Sequence, residues 1–392
     1  MTDTEFAWLL VGVGALLTAA FITNNISKKF GVPSLLLYLT LGFFFGNGGD
    51  GGFVFDRPEL VERCAEMALG LILFKGGYEF RHDLWRRPRV LMEGVTLALL
   101  GTLLTALITA VAAKFFLGWN WLEAMLLGAV LSSTDAAAVF SVFQSSGLRT
   151  TDDTMEVLEL ESSTNDPLAY GLVVGLIAAN LHPPLQLGHL VWTVVQGLFL
   201  GLIVGGLIGV VMLLLTRVIQ YSSGRGEILT LAVLTSALGL AELTGANPLI
   251  TAFAAGVVLS SRRKVPGDFW GPLVSLSEVV LFLLLGLQVF PDTLGVYVDE
   301  ALIVTFVLMF VARPVSILLI SPFFRPGLKR GLFISWAGLR GASPIVFGLL
   351  PLIDGVSKAQ EIFSTVFTVV VVSVLIQGTT LEWVGRKLGL TD

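Results

Sequence analysis

The stretch WLEAMLLGAVLSSTDAAAVFSVF, residues 121–143, carries the polar group SSTD at 132–135 in the middle of an otherwise apolar segment. A continuous helix in a membrane would carry these side chains into hydrocarbon, where unpaired polar groups cost several kcal/mol, on the order of 2–7. Irregular backbone is tolerated at that depth only where it is buried in protein. The stretch therefore predicts a helix that is interrupted near its centre.

A second polar group, ESSTNDP at 161–167, lies in the next apolar stretch. Helical spacing places Glu161 over Asn165 and Ser162 over Asp166, so that two acids and two neutral ligands share one side. Such an oxygen-rich site suits an alkali cation and equally a proton. Asp166 is then either the ion-binding carboxylate or the permanent partner of a buried arginine.

The composition agrees with a membrane protein. Of 392 residues, 55% are hydrophobic and 14% are charged, whereas a soluble domain carries about 25% charge. The net charge of −5 does not favour binding to nucleic acid, which is itself negatively charged. A single cysteine and three histidines provide neither a disulfide nor a zinc motif, so we expect no cofactor and no resident metal.

Thirteen apolar stretches follow one another along the chain. They cover residues 6–22, 33–46, 65–80, 90–117, 121–143, 155–180, 190–216, 227–243, 247–261, 271–290, 296–320, 330–353 and 362–385. Because backbone groups in hydrocarbon must be satisfied within their own segment, the stretches predict an all-α polytopic protein with about thirteen transmembrane helices.

The basic residues predict how the chain is oriented. Seventeen of the 24 lie in odd-numbered loops or at the C-terminus, and four lie in even-numbered loops. Since cytoplasmic loops carry the excess of Lys and Arg, the N-terminus is expected outside and the C-terminus in the cytoplasm. We expect a multi-pass protein of the cell membrane, the inner membrane of a bacterium.

If spans one to six and eight to thirteen are two copies of one unit, the copies start on opposite sides of the membrane, which is the inverted repeat found in secondary transporters. Repeat one would cover about 1–182 and repeat two about 225–388, with a linking helix at about 190–217. The corresponding broken helices would be the fifth and the twelfth, since the twelfth carries RGASP at 340–344.

Three bases, Lys75, Arg313 and Arg340, fall inside the predicted spans. The two arginines need a counter-ion, and Glu161 is expected to be their fixed partner. Asp135 either caps a broken half-helix or binds the ion.

Five strings of the chain carry a family resemblance, namely SSTDAAAVFSVF (132–143), ESSTNDPLAY (161–170), FVARPVSILL (310–319), WAGLRGASPI (336–345) and VLIQGTTLEW (374–383). They resemble the NhaP-type monovalent cation/proton antiporters, and most of all their potassium/proton branch, often called CvrA. The resemblance implies an NhaA/NhaP-like fold with a moving core and a dimerisation domain. It also implies a homodimer that exchanges one cation, K⁺ or Na⁺, for one proton by an elevator-like, alternating-access movement.

By this resemblance Asp166 is the carrier that binds the cation and the proton in turn. The ligands that surround it are Ser162, Thr134, Asp135 and Asn165. Glu161 and Arg340 are implied to form a structural ion pair, and Arg313 matches the arginine of the eleventh helix. Electrogenic relatives have Asp-Asp where this chain has Asn165-Asp166, which implies electroneutral exchange.

Lys75 departs from the family pattern, which usually has an acid before this glycine pair. The lysine either pairs with Glu79 one turn further on or reaches Asp166 and competes with the transported ion.

Three alternatives stay open on the sequence alone. The first is sodium/proton exchange by the same fold, because selectivity depends on cavity size and ligand number. The second is an intramembrane aspartyl protease with Asp135 and Asp166 as its dyad, although the Gly-x-Gly-Asp pattern is absent. The third is a channel, although no selectivity-filter repeat is present.

The predicted topology can be tested at Cys64, the single cysteine of the chain, which lies just before the third apolar stretch. We expect a membrane-impermeant thiol reagent to label Cys64 in intact cells, because the loop before this stretch is predicted to face outward. Labelling that occurs only in opened membranes would contradict the orientation.

Overall fold

The structure is a computed structural model, and the residues that it describes form helices joined by loops, with no β-strand. These residues are 7, 11–12, 14–15, 17–23, 33–47, 56–80, 82–135, 139, 150, 153–218, 226–260, 269–324 and 327–391. A single isolated bridge joins Thr150 to Thr391. The predicted all-α class is confirmed, while residues 6, 8–10, 13 and 16 of stretch 6–22 and positions 136–138 and 140–143 lie outside the described residues.

The helices fall on the predicted stretches. The first seven are α1 (17–23), α2 (Ser34–Phe45), α3 (Pro58–Tyr78), α4 (Pro88–Phe116), α5 (Trp121–Ser132), α6 (Thr154–Leu181) and α7 (Leu187–Val218). The others are α8 (Gly226–Thr244), α9 (Pro248–Ser260), α10 (Trp270–Leu287), α11 (Pro291–Phe323), α12a (Gly327–Trp336), α12b (Ala342–Ile353) and α13 (Ala359–Leu388).

Six of the described helices are long and apolar enough to cross a membrane, namely α4, α7, α8, α10, α11 and α13. Four more, α2, α5, α9 and α12b, are apolar but shorter. Helices α3 and α6 are long and carry several charged residues. Thirteen crossings therefore remain a prediction that these lengths allow.

The described helices pack in two groups. Helices α2, α3, α7, α8, α9 and α10 contact one another in the first group, and α4, α5, α6, α11, α12 and α13 in the second. The groups meet where α6 contacts α7 and α9, and where α12b contacts α3 and α10. The junction between the groups therefore runs along α6 and α12b.

Close crossings in the first group bring backbones into direct contact, and two of them are described here. A Cβ on Gly77 of α3 would overlap the carbonyl of Phe253, and one on Gly256 of α9 would overlap that of Phe74. Gly42 of α2 and Gly286 of α10 form a second crossing of the same kind. Small residues at such crossings let membrane helices approach closely.

Both predicted interruptions are present. Helix α5 ends at Ser132 and Ser133 is extended, while five residues separate α12a from α12b. Helix α6 in contrast runs without a break through Pro167. Helix α3 begins at Pro58. Cys64 therefore lies inside this helix and not in the loop before it, and its side chain is partly buried.

Candidate ion-binding site

The two broken helices cross, and their polar main-chain groups bind each other. The amide of Asp135, just beyond α5, donates to the carbonyl of Leu339 in the α12 break at 2.9 Å. The amide of Ala342, the first residue of α12b, donates to Asp135 Oδ2 at 3.2 Å. Each break thus supplies a partner that the other lacks, as buried backbone groups require.

Arg340 binds the end of α5. Its Nη1 donates to the carbonyls of Ser132 at 3.0 Å and Ser133 at 2.6 Å, and its side chain is almost fully buried. A guanidinium at this point satisfies orphan carbonyls at a helix C-terminus and complements the negative end of the helix dipole.

Helix α13 supplies side chains that hydrogen-bond to the main chain of the α12 break. Ser373 Oγ accepts a hydrogen bond from the amide of Arg340 at 3.1 Å and donates to Gln377 Oε1 at 2.6 Å. Gln377 Nε2 donates to the carbonyl of Trp336 at 3.0 Å. Gln377 lies in a π-helical segment, Val374–Gly378, a distortion that often marks functional positions.

Asp135 occupies the N-terminus of α12b, the half-helix opposite its own. Because the positive end of a helix dipole and a free N–H favour a carboxylate, this position stabilises the charged form of Asp135. A Cβ on Gly341 would overlap this carboxylate, so the close approach requires glycine. Asp135 therefore caps a broken half-helix, and this half-helix is α12b, not the α5 segment that precedes Asp135 in the chain.

Asp166 lies between the two breaks. Ser343 Oγ of α12b donates to Asp166 Oδ2 at 2.7 Å, and Ser133 Oγ of the α5 break donates to Oδ1. Asp166 is 6% exposed. Its hydrogen bonds in the described residues come from neutral hydroxyls, and neither arginine forms an ion pair with it.

A second network lies beside Asp166. Asn165 Nδ2 donates to Thr134 Oγ1 at 2.5 Å, and Thr134 Oγ1 lies 3.2 Å from Ser162 Oγ. Asn165 Oδ1 is buried and accepts no hydrogen bond within the described structure. The predicted group Thr134, Asn165, Ser162 and Asp166 is therefore brought together, with one amide oxygen left available.

Of the two buried arginines expected to share Glu161, the described structure pairs Arg313 with it and not Arg340. Glu161 Oε1 lies 2.5 Å from Arg313 Nη2, and both side chains are buried. Arg340 instead binds carbonyls, as described above. Residue spacing could not separate the two arginines, because the choice depends on how α11 and the α12 break approach α6.

Lys75 pairs with Glu79, the first of its two predicted alternatives. The distance from Nζ to Oε2 is 3.4 Å, and both side chains are partly exposed. Lys75 makes no ion pair with Asp166 in the described residues.

Sequence reasoning missed three contributors to this site. Ser133 and Ser343, which bind Asp166, lie in the two polar interruptions, and sequence reasoning assigns them no ion-binding role. Asn247, next to α9, donates Nδ2 to the carbonyl of Pro167 at 2.7 Å and is 4% exposed. The Asn-Pro start of α9 was a usable signal, since asparagine commonly precedes a helix and its Oδ1 accepts from Leu249 and Ile250 amides here.

The arrangement provides one buried carboxylate, several hydroxyls and a free amide oxygen where two broken helices cross. Oxygen ligands of this kind bind a hard cation, and the same carboxylate takes a proton. Discontinuous helices that cross at mid-bundle define the class of secondary transporters.

The family of sodium/hydrogen exchangers, described as "sodium/hydrogen exchanger, transmembrane", matches residues 15–387 of this sequence. The chain belongs to this family, and it is an integral membrane protein whose relatives are transporters and not enzymes. The protease alternative is thereby excluded.

Several curated relatives are similar over most of the chain. The K⁺/H⁺ antiporter NhaP of Alkalimonas amylolytica is 35% identical over 388 residues, which are 96% of this chain and 66% of that protein. The K⁺/H⁺ antiporter NhaP2 of Shewanella oneidensis is 33% identical, covering 95% and 66%. The Na⁺/H⁺ antiporter ApNhaP of Aphanothece halophytica is 26% identical, covering 92% and 70%. The chain thus spans about two thirds of the relatives' length.

The fold is similar to that of the sodium proton antiporter MjNhaP1 from Methanocaldococcus jannaschii. The TM-score is 0.80 at 20% identity, with 97% of this chain and 99% of that chain covered. This likeness confirms the NhaP-type fold predicted from the sequence strings.

The buried pair of Glu161 and Arg313 yields a stability prediction. We expect Glu161→Gln to lower the free energy of unfolding by about 3–5 kcal/mol, because it leaves a buried guanidinium without its counter-ion. Arg313→Gln should act in the same direction. Thermal unfolding of the purified protein in detergent measures both variants.

The matched control is Glu382→Gln, which removes the exposed pair of Glu382 and Arg386 at 2.7 Å. Exposed pairs contribute about 0–1 kcal/mol, so this variant should unfold near the wild-type temperature. Wild-type stability of Glu161→Gln would contradict a structural role for the buried pair.

Proposed function

We propose that this protein is a cation/proton antiporter in which Asp166 binds either the cation or the proton. The observation that carries the proposal is the position of Asp166, a buried carboxylate held by hydroxyls from both broken helices. Because an empty, charged carboxylate is costly to move through an apolar core, the carrier crosses only when it is loaded. Movement of one ion in one direction then requires movement of the other in return.

The exchange is electroneutral, one cation for one proton. Asn165 does not titrate, and its amide is engaged with Thr134. Asp135 accepts the amide of Ala342 at the N-terminus of α12b and acts there as a fixed neighbour of the carrier. Asp166 is then the residue of this site whose charge alternates.

Potassium is the favoured cation, and sodium is the second candidate. Potassium is supported by the relatives named K⁺/H⁺ antiporters at 35% and 33% identity. Sodium is supported by ApNhaP, whose identity is lower at 26%. Flux driven by potassium, sodium, lithium and rubidium gradients in turn decides between them.

The inverted repeat is proposed with the bounds given above, and three features of the structure support it. The breaks lie in α5 and α12, the π-helical segments Leu97–Gly101 and Leu308–Ala312 lie in α4 and α11, and the glycine crossings join α2 to α10 and α9 to α3. The corresponding helices are seven apart in each case: α5 and α12 for the breaks, α4 and α11 for the π-helical segments, and α2 and α9 together with α3 and α10 for the crossings. Alternating access then consists of movement of the second helix group, which carries Asp166, against the first.

We further propose a homodimer in the cell membrane, with the N-terminus outside and the C-terminus in the cytoplasm. The charge distribution of the loops supports the orientation. The resemblance to NhaP-type antiporters supports the dimer.

The carrier role is tested by Asp166→Asn, which keeps the shape of the side chain and removes its titration. We expect the folded variant to lose cation/proton exchange in proteoliposomes that report internal pH. In the wild type, exchange should follow a bell against pH, because protons displace cations at low pH and are too scarce to return at high pH.

The control is Asn165→Asp, which should retain part of the exchange, because Asn165 does not carry the proton. Full exchange by a folded Asp166→Asn protein would refute the mechanism and make Asp135 the next candidate.

The one-to-one stoichiometry is tested by imposing a membrane potential. We expect the initial rate of wild-type exchange to stay unchanged when a potential of either sign is set across the proteoliposome, because no net charge moves. A rate that follows the sign of the potential would show that the numbers of cations and protons differ.

A further inference from the structure

Asn247, directly before α9, connects the two helix groups. Its Nδ2 donates at 2.7 Å to the main-chain carbonyl of Pro167, the residue that follows Asp166, and its side chain is buried. Helix α9 belongs to the first group, whereas Pro167 belongs to α6 of the second. This hydrogen bond therefore crosses the junction between the groups, one residue away from the proposed ion-binding carboxylate.

The other polar groups of Asn247 are held within the first group. Its Oδ1 accepts from the amides of Leu249 at 3.1 Å and Ile250 at 3.2 Å, which caps α9. Its own amide donates to the carbonyl of Gly197 in α7 at 3.0 Å. The side chain is thus oriented by α7 and α9, and its NH₂ group is directed at α6.

The acceptor lies at a weak point of α6. Pro167 has no N–H, so the helix lacks the hydrogen bond that would otherwise reach the carbonyl of Ser163, although α6 continues through this position. A carbonyl oxygen has two lone pairs, so that Pro167 can accept from Asn247 within a helix. The bond from Asn247 therefore fixes the main chain of α6 where its own hydrogen bonding is interrupted.

The described contacts between the same face of α6 and α7 are apolar. Gly171 and Gly175 follow Pro167 at intervals of one helical turn. A Cβ on Gly171 would lie 3.5 Å from Val194 of α7, and one on Gly175 would overlap Leu190. Apolar contacts are non-directional, so they permit several positions of one helix along the other. A hydrogen bond requires one geometry, and it favours one of these positions.

We propose that Asn247 is a positioning residue of the exchange, which holds α6, and with it Asp166, at one end of the movement of the second helix group. This inference rests on the proposed function. The donor stays with the first group, so a displacement of the acceptor by more than about 1 Å breaks the bond. The bond stabilises this end of the movement and slows departure from it, without contacting the ion.

The test compares the apparent KM for potassium on the two faces of the membrane, in right-side-out and in everted vesicles. Asn247→Ser keeps a hydroxyl that can cap α9 and removes the donor that reaches Pro167. The ratio of the two KM values should change about five-fold, the factor that one buried neutral hydrogen bond contributes to an equilibrium. The ratio responds because it follows the relative rates of the two crossing steps.

The maximal rate separates positioning from a merely structural role. Per folded protein, the rate of Asn247→Ser should equal that of the wild type or exceed it by up to about five-fold, because departure no longer breaks the bond. Asn247→Ala, which also removes the cap, should change the KM ratio by the same factor and lower the Tm further. A role in capping alone would leave the ratio unchanged in both variants.

The matched control is Asn180→Ser. Asn180 Nδ2 also donates to main-chain carbonyls, to Leu176 at 2.8 Å and to Leu122 of α5 at 3.4 Å, but both acceptors lie in the second group with Asn180 itself. Its loss should keep the KM ratio within about two-fold of the wild type. An equal change of the ratio in both serine variants would contradict the proposal.

A KM ratio that Asn247→Ser leaves unchanged would overturn the inference while leaving the proposed function intact, and so would a lower maximal rate at an unchanged ratio. If Asn247→Ser fails to assemble, Asn247→Asp decides, since its carboxylate keeps the shape and the cap but cannot donate to Pro167. An unchanged ratio there contradicts the proposal. Absence of exchange in the wild type would remove the proposed function and the inference together.

Discussion

The structure depends on one constraint, the need to satisfy main-chain groups where two helices stop inside an apolar bundle. Water is not available at that depth, so every free N–H and C=O must find a protein partner. Here Arg340 in the α12 break donates to two carbonyls at the end of α5. Asp135, just beyond α5, accepts from the first amide of α12b. The charged side chains at the crossing therefore bind main-chain groups of the half-helices.

This constraint also shapes the environment of Asp166. With Arg340 and Asp135 engaged on the half-helices, Asp166 is left with hydroxyl donors, Ser133 and Ser343, instead of a permanent counter-ion. A carboxylate bound only by neutral groups can exchange one positive partner for another. The second buried arginine, Arg313, pairs with Glu161 and is not a partner of Asp166.

Much of this could be predicted from the sequence, because each signal is local. Polar residues in the middle of apolar stretches predicted both breaks, and the one-turn spacing on α3 predicted the contact between Lys75 and Glu79. The assignment of Glu161 to Arg340 failed because both arginines lie far from it in sequence, and only the packing of α11 and α12 selects between them. Ser343 was overlooked for a similar reason, since its partner Asp166 comes from another helix.

The reciprocal contacts at the two breaks also constrain how such a chain can change. A substitution that straightened α5 would withdraw the carboxylate that covers α12b, and one that straightened α12 would withdraw the guanidinium that covers α5. Neither half can be repaired alone without leaving buried polar groups unpaired in the other. A substitution that removes one interruption therefore destabilises the other as well, and tolerated change at this crossing requires matched substitutions in both helices.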